Sequence, residues 1–304
     1  MQNKKVGISI GRFQRLYGDV EALDVAARVG ADAVDMTTHG PRFDYRDPDS
    51  IFSRGDDAIV EHFTRVRERA DQLGITISQT HGRIKIFYND PADDAAVLEN
   101  ARLDLLAAKA LGAPVSVMHG VTTSRTGPHA PPQYVRDLNH KLFSQILPLA
   151  RKYGVKVATE TFGDAAKFAC VDFFGNTDEF ERAYKRLCAE EDFDKWFAVC
   201  VDTGHSNKAM RFGNPSAADV IRRMGSAVEV LHLNDNDTLT DQHRPPLAGN
   251  LDWEDILTAL DEIGYDGVYN MELNLGNFGD ELAEDTAAFA IKVMRNLLKN
   301  HYEK

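Results

Sequence analysis

A single-domain α/β fold, the closed (β/α)8 or TIM barrel, is what this sequence predicts, and three observations carry it. Short apolar runs alternate with amphipathic stretches eight times across residues 1–304, with no long Pro/Ser/Gly-rich linker dividing them. Six of the eight runs end in Asp, Glu or His, and only a closed barrel brings that many strand ends together. The first run is followed by Ile10-Gly-Arg-Phe13, not by the Gly-x-Gly-x-x-Gly turn of an open nucleotide-binding sheet.

The first strand is Val6–Ile10, with Asp19 as the expected N-cap of a helix through Val29. A second strand covers Ala33–Met36. The segment Thr37–Gly55, rich in Pro, Asp and Arg, is too long and polar for a simple connection and reads as a lid or substrate loop. Asp56–Leu73 has Ile59, Phe63, Val66, Ala70 and Leu73 at helical spacing, and Gly74 stops it. The third strand leads from Ile75 to His81. An Ala-rich helix, Pro91–Leu111, ends at Gly112, and the fourth strand runs from Pro114 to His119. Gln133–Tyr153, opened by Pro131-Pro132 and closed by Gly154, precedes the fifth strand, which ends at Glu160. Helices at Asp178–Ala189 and Pro215–Met224 precede the strands that reach Asp202 and His232. Asp252 caps Trp253–Ile263, Gly264 ends it, and the eighth strand arrives at Glu272. The last helix is Glu281–Leu298.

Hydrophobic residues at 43% and charged residues at 27% suit a chain that buries a large core. The formal net charge of -12 argues against broad attraction to nucleic-acid backbones, while leaving room for a local basic groove. The N-terminal Met-Gln-Asn-Lys-Lys leads into a strand without an apolar signal core, and no run of about 18 apolar residues follows. A cytoplasmic protein without a membrane span is therefore expected. Cys170, Cys188 and Cys200 lack metal-finger spacing and suit reduced thiols.

Glu160, Asp202, His232 and Glu272 end strands five to eight. Three carboxylates and one imidazole converging on a point form an oxygen-rich donor set for one divalent ion, Mn, Mg, Co, Fe or Zn. A lone carboxylate at a strand end is more often a helix cap or a surface ion pair. Four on adjacent strands at matching depth are harder to explain that way. His81, His119, His205, Asp241 and His243 form a second set, for which solvation or a structural hydrogen bond is the competing reading. Asn234 and Asp235 read equally as orienters of ligands and as turn formers. Arg244 is the first-choice cation for a substrate oxygen or phosphate, ahead of Arg12, Arg83 and Lys85. For Phe13, Phe43, Trp253 and Cys200, core packing is the default.

Four stretches carry a family resemblance: Val201-Asp-Thr-Gly-His205; Leu231-His-Leu-Asn-Asp-Asn236; Asp241-Gln-His-Arg244 with Gly249-Asn-Leu-Asp-Trp253; and Gly264-Tyr-Asp-Gly-Val-Tyr-Asn-Met-Glu272. Together they resemble the xylose isomerase-like TIM-barrel superfamily, the sugar-phosphate isomerases and epimerases related to endonuclease IV, over nearly the whole chain. The ketose 3-epimerase branch implies one divalent metal on Glu160, Asp202, His232 and Glu272. It also implies proton exchange by Glu160 and Glu272, and substrate contacts from His205 and Arg244; His81 and His119 are further candidates for binding the substrate. The implied reaction is proton transfer alpha to a carbonyl through a metal-stabilised enediolate, giving epimerisation, isomerisation or, with loss of hydroxide, dehydration. The endonuclease IV branch implies a different outcome. There His81, His119, Glu160, Asp202, His205, His232, Asp241, His243 and Glu272 match the ligands of a trinuclear zinc cluster that cleaves abasic DNA, so Asp241 and His243 become extra ligands. Leu247-Ala-Gly-Asn250 and Glu272-Leu-Asn274, in place of Glu-Thr-Pro, stand closer to the sugar branch. The expected partner is a small sugar or sugar-derived molecule. Exposed helices on such barrels often pair, which leaves a homo-oligomer open.

Overall fold

In the computed structural model, which describes residues 4–85, 87, 89–190 and 192–303, eight parallel strands follow one another around a ring. They are β1 (Val6–Ser9), β2 (Ala33–Thr37), β3 (Thr76–His81), β4 (Val115–Met118), β5 (Lys156–Glu160), β6 (Phe197–Asp202), β7 (Val228–His232) and β8 (Tyr269–Met271). β1 to β6 each pair with the next in sequence, and β8 pairs with β1. The Leu233 N–H donates to the Asn270 carbonyl at 2.8 Å and the Glu272 N–H to the Leu233 carbonyl at 3.1 Å, joining β7 to β8 and closing the TIM barrel.

Alternation along the strands decides what faces inward. Val115, Val117, Ala158, Ala198, Cys200 and Val230 form a small apolar cluster, separate from the larger core between the barrel and its helices. Two residues beyond Ala158, Cys200 and Val230 stand Glu160, Asp202 and His232. Because side chains alternate with period two, burying the small residues inside the barrel also directs those three inward, one layer above.

The outer layer contains α2 (Glu21–Arg28), α3 (Asp56–Leu73), α4 (Pro91–Leu111), α6 (Pro132–Tyr153), α7 (Thr177–Cys188), α9 (Ala217–Met224), α10 (Trp253–Glu262) and α11 (Ala283–Tyr302). Between them in chain order lie three short helices: α1 (Gly11–Tyr17), α5 (Thr123–Thr126) and α8 (Thr203–Ala209). These follow β1, β4 and β6 and are too short to show helical periodicity in the sequence. Gly74, Gly112 and Gly154 end α3, α4 and α6 in the left-handed region, at φ 69°, 74° and 70°. Asp90, Asn176, Ser216 and Asp252 cap α4, α7, α9 and α10 through their side chains. Among the described residues no helix is long and apolar enough to cross a membrane.

Asp19 does not cap a helix. Val20 occupies that position for α2, while Asp19 is buried and meets Gln14 Nε2 at 3.0 Å, Arg42 Nη2 at 3.2 Å and His62 Nε2 at 2.8 Å. A carboxylate with a guanidinium and an imidazole at hand gains more from them than from an exposed helix end.

Thr37–Gly55 also departs from its expected role. Phe43 and Phe52 are buried in the core, and none of the segment's residues lines the cavity above the barrel. Arg83 pins it down by donating to the Thr38 and Phe43 carbonyls at 2.9 and 3.0 Å, while its guanidinium pairs with Asp104 of α4 at 3.0 and 3.1 Å. Asp104→Ala would leave a buried guanidinium without its carboxylate. The expected loss is about 3–5 kcal/mol of unfolding free energy, read from a urea transition; a loss below about 1 kcal/mol would show that Arg83 is satisfied without Asp104.

Candidate functional site

Glu160, Asp202 and His232 end β5, β6 and β7, and Glu272 immediately follows β8. One ligand-type atom from each lies within 4.8 Å of the other three. His232 Nδ1 is 3.0 Å from Glu160 Oε1 and 3.5 Å from Glu272 Oε2. Asp202 is held from behind: the His205 N–H donates to Oδ1 at 2.6 Å and Asn234 Nδ2 to Oδ2 at 2.8 Å. Residue 204 must be small for this to happen, since a Cβ on Gly204 would overlap Asn234 Oδ1. Asn234 therefore orients a site carboxylate. Asp235 instead braces the following loop, accepting from Trp253 Nε1 at 2.8 Å and from the Asn236 and Leu251 N–H groups.

β2 adds Asp35, which reasoning from strand ends misses because it lies mid-strand. It is fully buried. Its Oδ2 accepts from Ser9 Oγ at 2.9 Å and lies 3.1 Å from His232 Nε2. That contact sets which ring nitrogen of His232 faces Glu160 and Glu272. The signal in the sequence is a carboxylate inside the apolar run Ala33-Val-Asp-Met36, where burial demands a partner.

Histidines surround the carboxylates. His81 Nε2 is 3.6 Å from Glu272 Oε1 and 3.8 Å from Glu160 Oε2, His205 Nδ1 is 3.4 Å from Glu160 Oε1, and His243 Nδ1 is 3.6 Å from Glu272 Oε2. Burial alone would raise the Glu160 carboxyl, but His232, His119 and His205 hold it well below the usual range. Glu272 is likewise lowered against burial, by His232 and His243. For Asp202 burial wins over His205 and His243, leaving it at about 6. Burial disfavours charge on His232 too, yet Glu272, Glu160 and the hydrogen bond to Asp35 lift it well above an ordinary imidazole. His81 goes the other way, burial holding it low despite Glu272. Cys200 is a buried thiol pushed up to about 12 by desolvation, as suits a core residue.

The donor set fits a divalent cation. Carboxylate oxygens and imidazole nitrogens of this number and spacing suit a borderline or hard metal ion. Glu160 Oε2 and His119 Nε2 lie 3.0 Å apart, both buried, without hydrogen-bond alignment. His81, His119 and Glu160 form a further group of this kind, and so do Asp202, His205 and His243.

Above lies a cavity of about 620 Å³. His81, His119, Glu160, His205, His243 and Glu272 line it, together with Asp241, whereas Asp202 and His232 are buried and are not among its lining residues. Asp241 Oδ2 is 3.6 Å from His205 Nε2 and 3.5 Å from His243 Nε2. Arg244 does not line the cavity. Its backbone pairs with Asp235, which turns its guanidinium toward the Ala248 carbonyl at 3.2 Å. Arg83 is occupied by Asp104, Lys85 lies 3.5 Å from Asp44, and Arg12 pairs with Asp280. The lining cations are Arg125, Lys167 and Lys208. Lys208 is buried on α8, with Nζ 2.8 Å from Asp164 and 3.3 Å from Asp241. No local spacing marks it, because its partners are distant in sequence.

Residues 23–297 match the family described as xylose isomerase-like TIM barrel. Among curated proteins the chain is similar to uncharacterized protein MJ1311 of Methanocaldococcus jannaschii, 31% identical over 140 residues that cover 45% of this chain and 43% of that protein. It is also similar to uncharacterized protein y4fM of Sinorhizobium fredii, 28% identical over 187 residues, 58% of this chain and 52% of that one. The chain thus spans about half the length of the curated relatives it matches. Among solved structures it is similar to a D-tagatose 3-epimerase-like protein, at 19% identity and TM-score 0.73 over 98% of each chain. A D-psicose 3-epimerase crystallised in the presence of D-fructose is 16% identical, with TM-score 0.70 over 97% of this chain and 99% of that one. The IolI protein with a bound zinc atom is 18% identical, with TM-score 0.68 over 98% of this chain and 97% of that one. At these identities the likeness speaks for the fold. The match over residues 23–297 goes further: the chain belongs to the xylose isomerase-like TIM barrel family.

Proposed function

We propose that this protein is a sugar isomerase or epimerase that moves a proton at the carbon beside a carbonyl. Glu160 and Glu272 are its acid–base pair, and Glu160, Asp202, His232 and Glu272 hold one divalent ion, Mn, Zn, Co, Fe or Mg. The observation that carries this reading is the placement of the two glutamates about shared imidazoles. Both lie within 3.5 Å of His232 Nδ1 and within 3.8 Å of His81 Nε2, and both line the same cavity. Two carboxylates brought together from β5 and the end of β8 can serve opposite faces of one substrate carbon.

A divalent ion in that position supplies Lewis-acid polarisation of a carbonyl and stabilises the charge that develops on its oxygen. The chain's own groups do the rest. Glu160, held well below the usual carboxylate range, is ionised at neutral pH and can accept a proton. Glu272 is ionised likewise in the protein alone, so it returns a proton only after taking one up from a substrate hydroxyl or from solvent. Return to the opposite face of the same carbon gives epimerisation; return to the neighbouring carbon gives isomerisation. Loss of hydroxide after the first transfer gives a dehydratase. His81, His119 and His205 offer ring nitrogens to sugar hydroxyls along the cavity wall. The names of the D-tagatose 3-epimerase-like and D-psicose 3-epimerase structures support a small sugar as the substrate class.

A second reading, zinc-dependent hydrolysis at abasic DNA, has one observation in its favour: the His81–His119–Glu160 and Asp202–His205–His243 groups flank the first set. It requires about three ions per chain and incision of an abasic duplex, neither of which the sugar reading expects.

Glu160→Gln and Glu272→Gln should each slow solvent deuterium incorporation into a ketose substrate by at least about 10²-fold, with the circular dichroism spectrum unchanged. Undiminished exchange in either variant would remove that residue from the mechanism. Asp35→Asn takes away the carboxylate behind His232 and should weaken metal binding by roughly 10–100-fold in competition with a chelating dye. Equal affinity would mean that His232 needs no orienting partner.

A further inference from the structure

We infer that Lys208 is a built-in cation that occupies the outer part of the site, so that the chain holds a single divalent ion on its inner four residues. This rests on the reading of Glu160, Asp202, His232 and Glu272 as a metal site. His205 and Lys208 stand three residues apart on α8 and share a face of it. They address the same carboxylate, His205 Nε2 at 3.6 Å from Asp241 Oδ2 and Lys208 Nζ at 3.3 Å from Asp241 Oδ1. Lys208 Nζ is also 2.8 Å from Asp164 Oδ1, while Arg211 Nη2 reaches Asp164 Oδ2 at 2.7 Å. The lysine stem is buried against Gly163, where a Cβ would come within 3.0 Å of Lys208 Cβ and the His205 carbonyl oxygen. Glycine at that position is what lets the two-residue ribbon of Asp164–Ala165 and Cys170–Val171 bring Asp164 to the ammonium.

Charge balance separates the two halves of the site. In the outer half, Asp164 and Asp241 face Lys208 and Arg211, so negative and positive charges are matched before any ion arrives. In the inner half, the ion-pair partners of Asp35, Glu160, Asp202 and Glu272 among the described residues are imidazoles. A divalent ion entering the inner group relieves an imbalance. One entering beside His205, Asp241 and His243 creates an imbalance, since a single carboxylate would separate it from an ammonium whose burial keeps it from swinging into water. His205 and His243 are thereby left free of metal and available to hydrogen-bond a substrate.

The test is elemental analysis of the full chain after loading with excess zinc and desalting. One zinc per chain is expected in the wild type and in Lys208→Arg, which keeps the charge. Two are expected in Lys208→Met, returning to one when His243→Ala is added. Two or more zincs in the wild type, or one in folded Lys208→Met, would overturn the role of Lys208 while leaving the inner site standing. No zinc in the wild type would overturn the inner site and this inference with it. Should Lys208→Met fail to fold, Lys208→Gln carries the same expectation.

Discussion

Four carboxylates, those of Asp35, Glu160, Asp202 and Glu272, are gathered about one imidazole, His232, at the mouth of the barrel. Two unit charges 4 Å apart interact by roughly 4 kcal/mol at an effective dielectric constant of 20, so such a group cannot be assembled without positive charge inside it. In the protein alone, the raised affinity of His232 and His205 for protons supplies part of that charge. A divalent ion is the other partner the donor set fits, and its binding would release those protons. In the proposed reading, metal and proton compete for the same lone pairs.

The barrel is what makes the crowding tolerable. Each carboxylate is carried by a strand or strand end whose hydrogen-bonded neighbours fix its height, and small apolar residues such as Ala158, Ala198 and Cys200 fill the interior beneath. Asn234 and the His205 N–H hold Asp202 from behind, while Asp35, itself bonded to Ser9, holds His232. With supports of this kind the ligand atoms cannot relax apart to relieve their repulsion. Orientation is thus fixed before any substrate or ion arrives, which is the condition for electrostatic preorganisation.

What the sequence makes legible is what strand and helix periodicity encode. Glu160, Asp202, His232 and Glu272 close β-prone runs, and in a closed barrel every such end points to the same mouth, so the inner set can be read without coordinates. Gly74, Gly112 and Gly154 mark helix ends because only glycine enters the left-handed region freely. Contacts between distant positions are not encoded locally. Lys208 depends on Asp164 and Asp241, Arg83 on Asp104, and Asp19 on His62, so the first is overlooked, the second stands only as a minor candidate for a substrate cation, and the third is taken for a helix cap. The position of Arg244 is hidden for a related reason. Its proximity in sequence to Asp241 and His243 suggests a common orientation, but the backbone bridge to Asp235 turns it away.

The barrel mouth is proposed as a divalent-cation site. Its most direct test is the thermal unfolding of chelator-treated protein with and without manganese or zinc at about 100 times the dissociation constant. Binding to the folded state alone would then add about 2.7 kcal/mol. A rise of several degrees in Tm that disappears in Asp202→Asn is expected. A Tm that stays the same with and without either ion would contradict it.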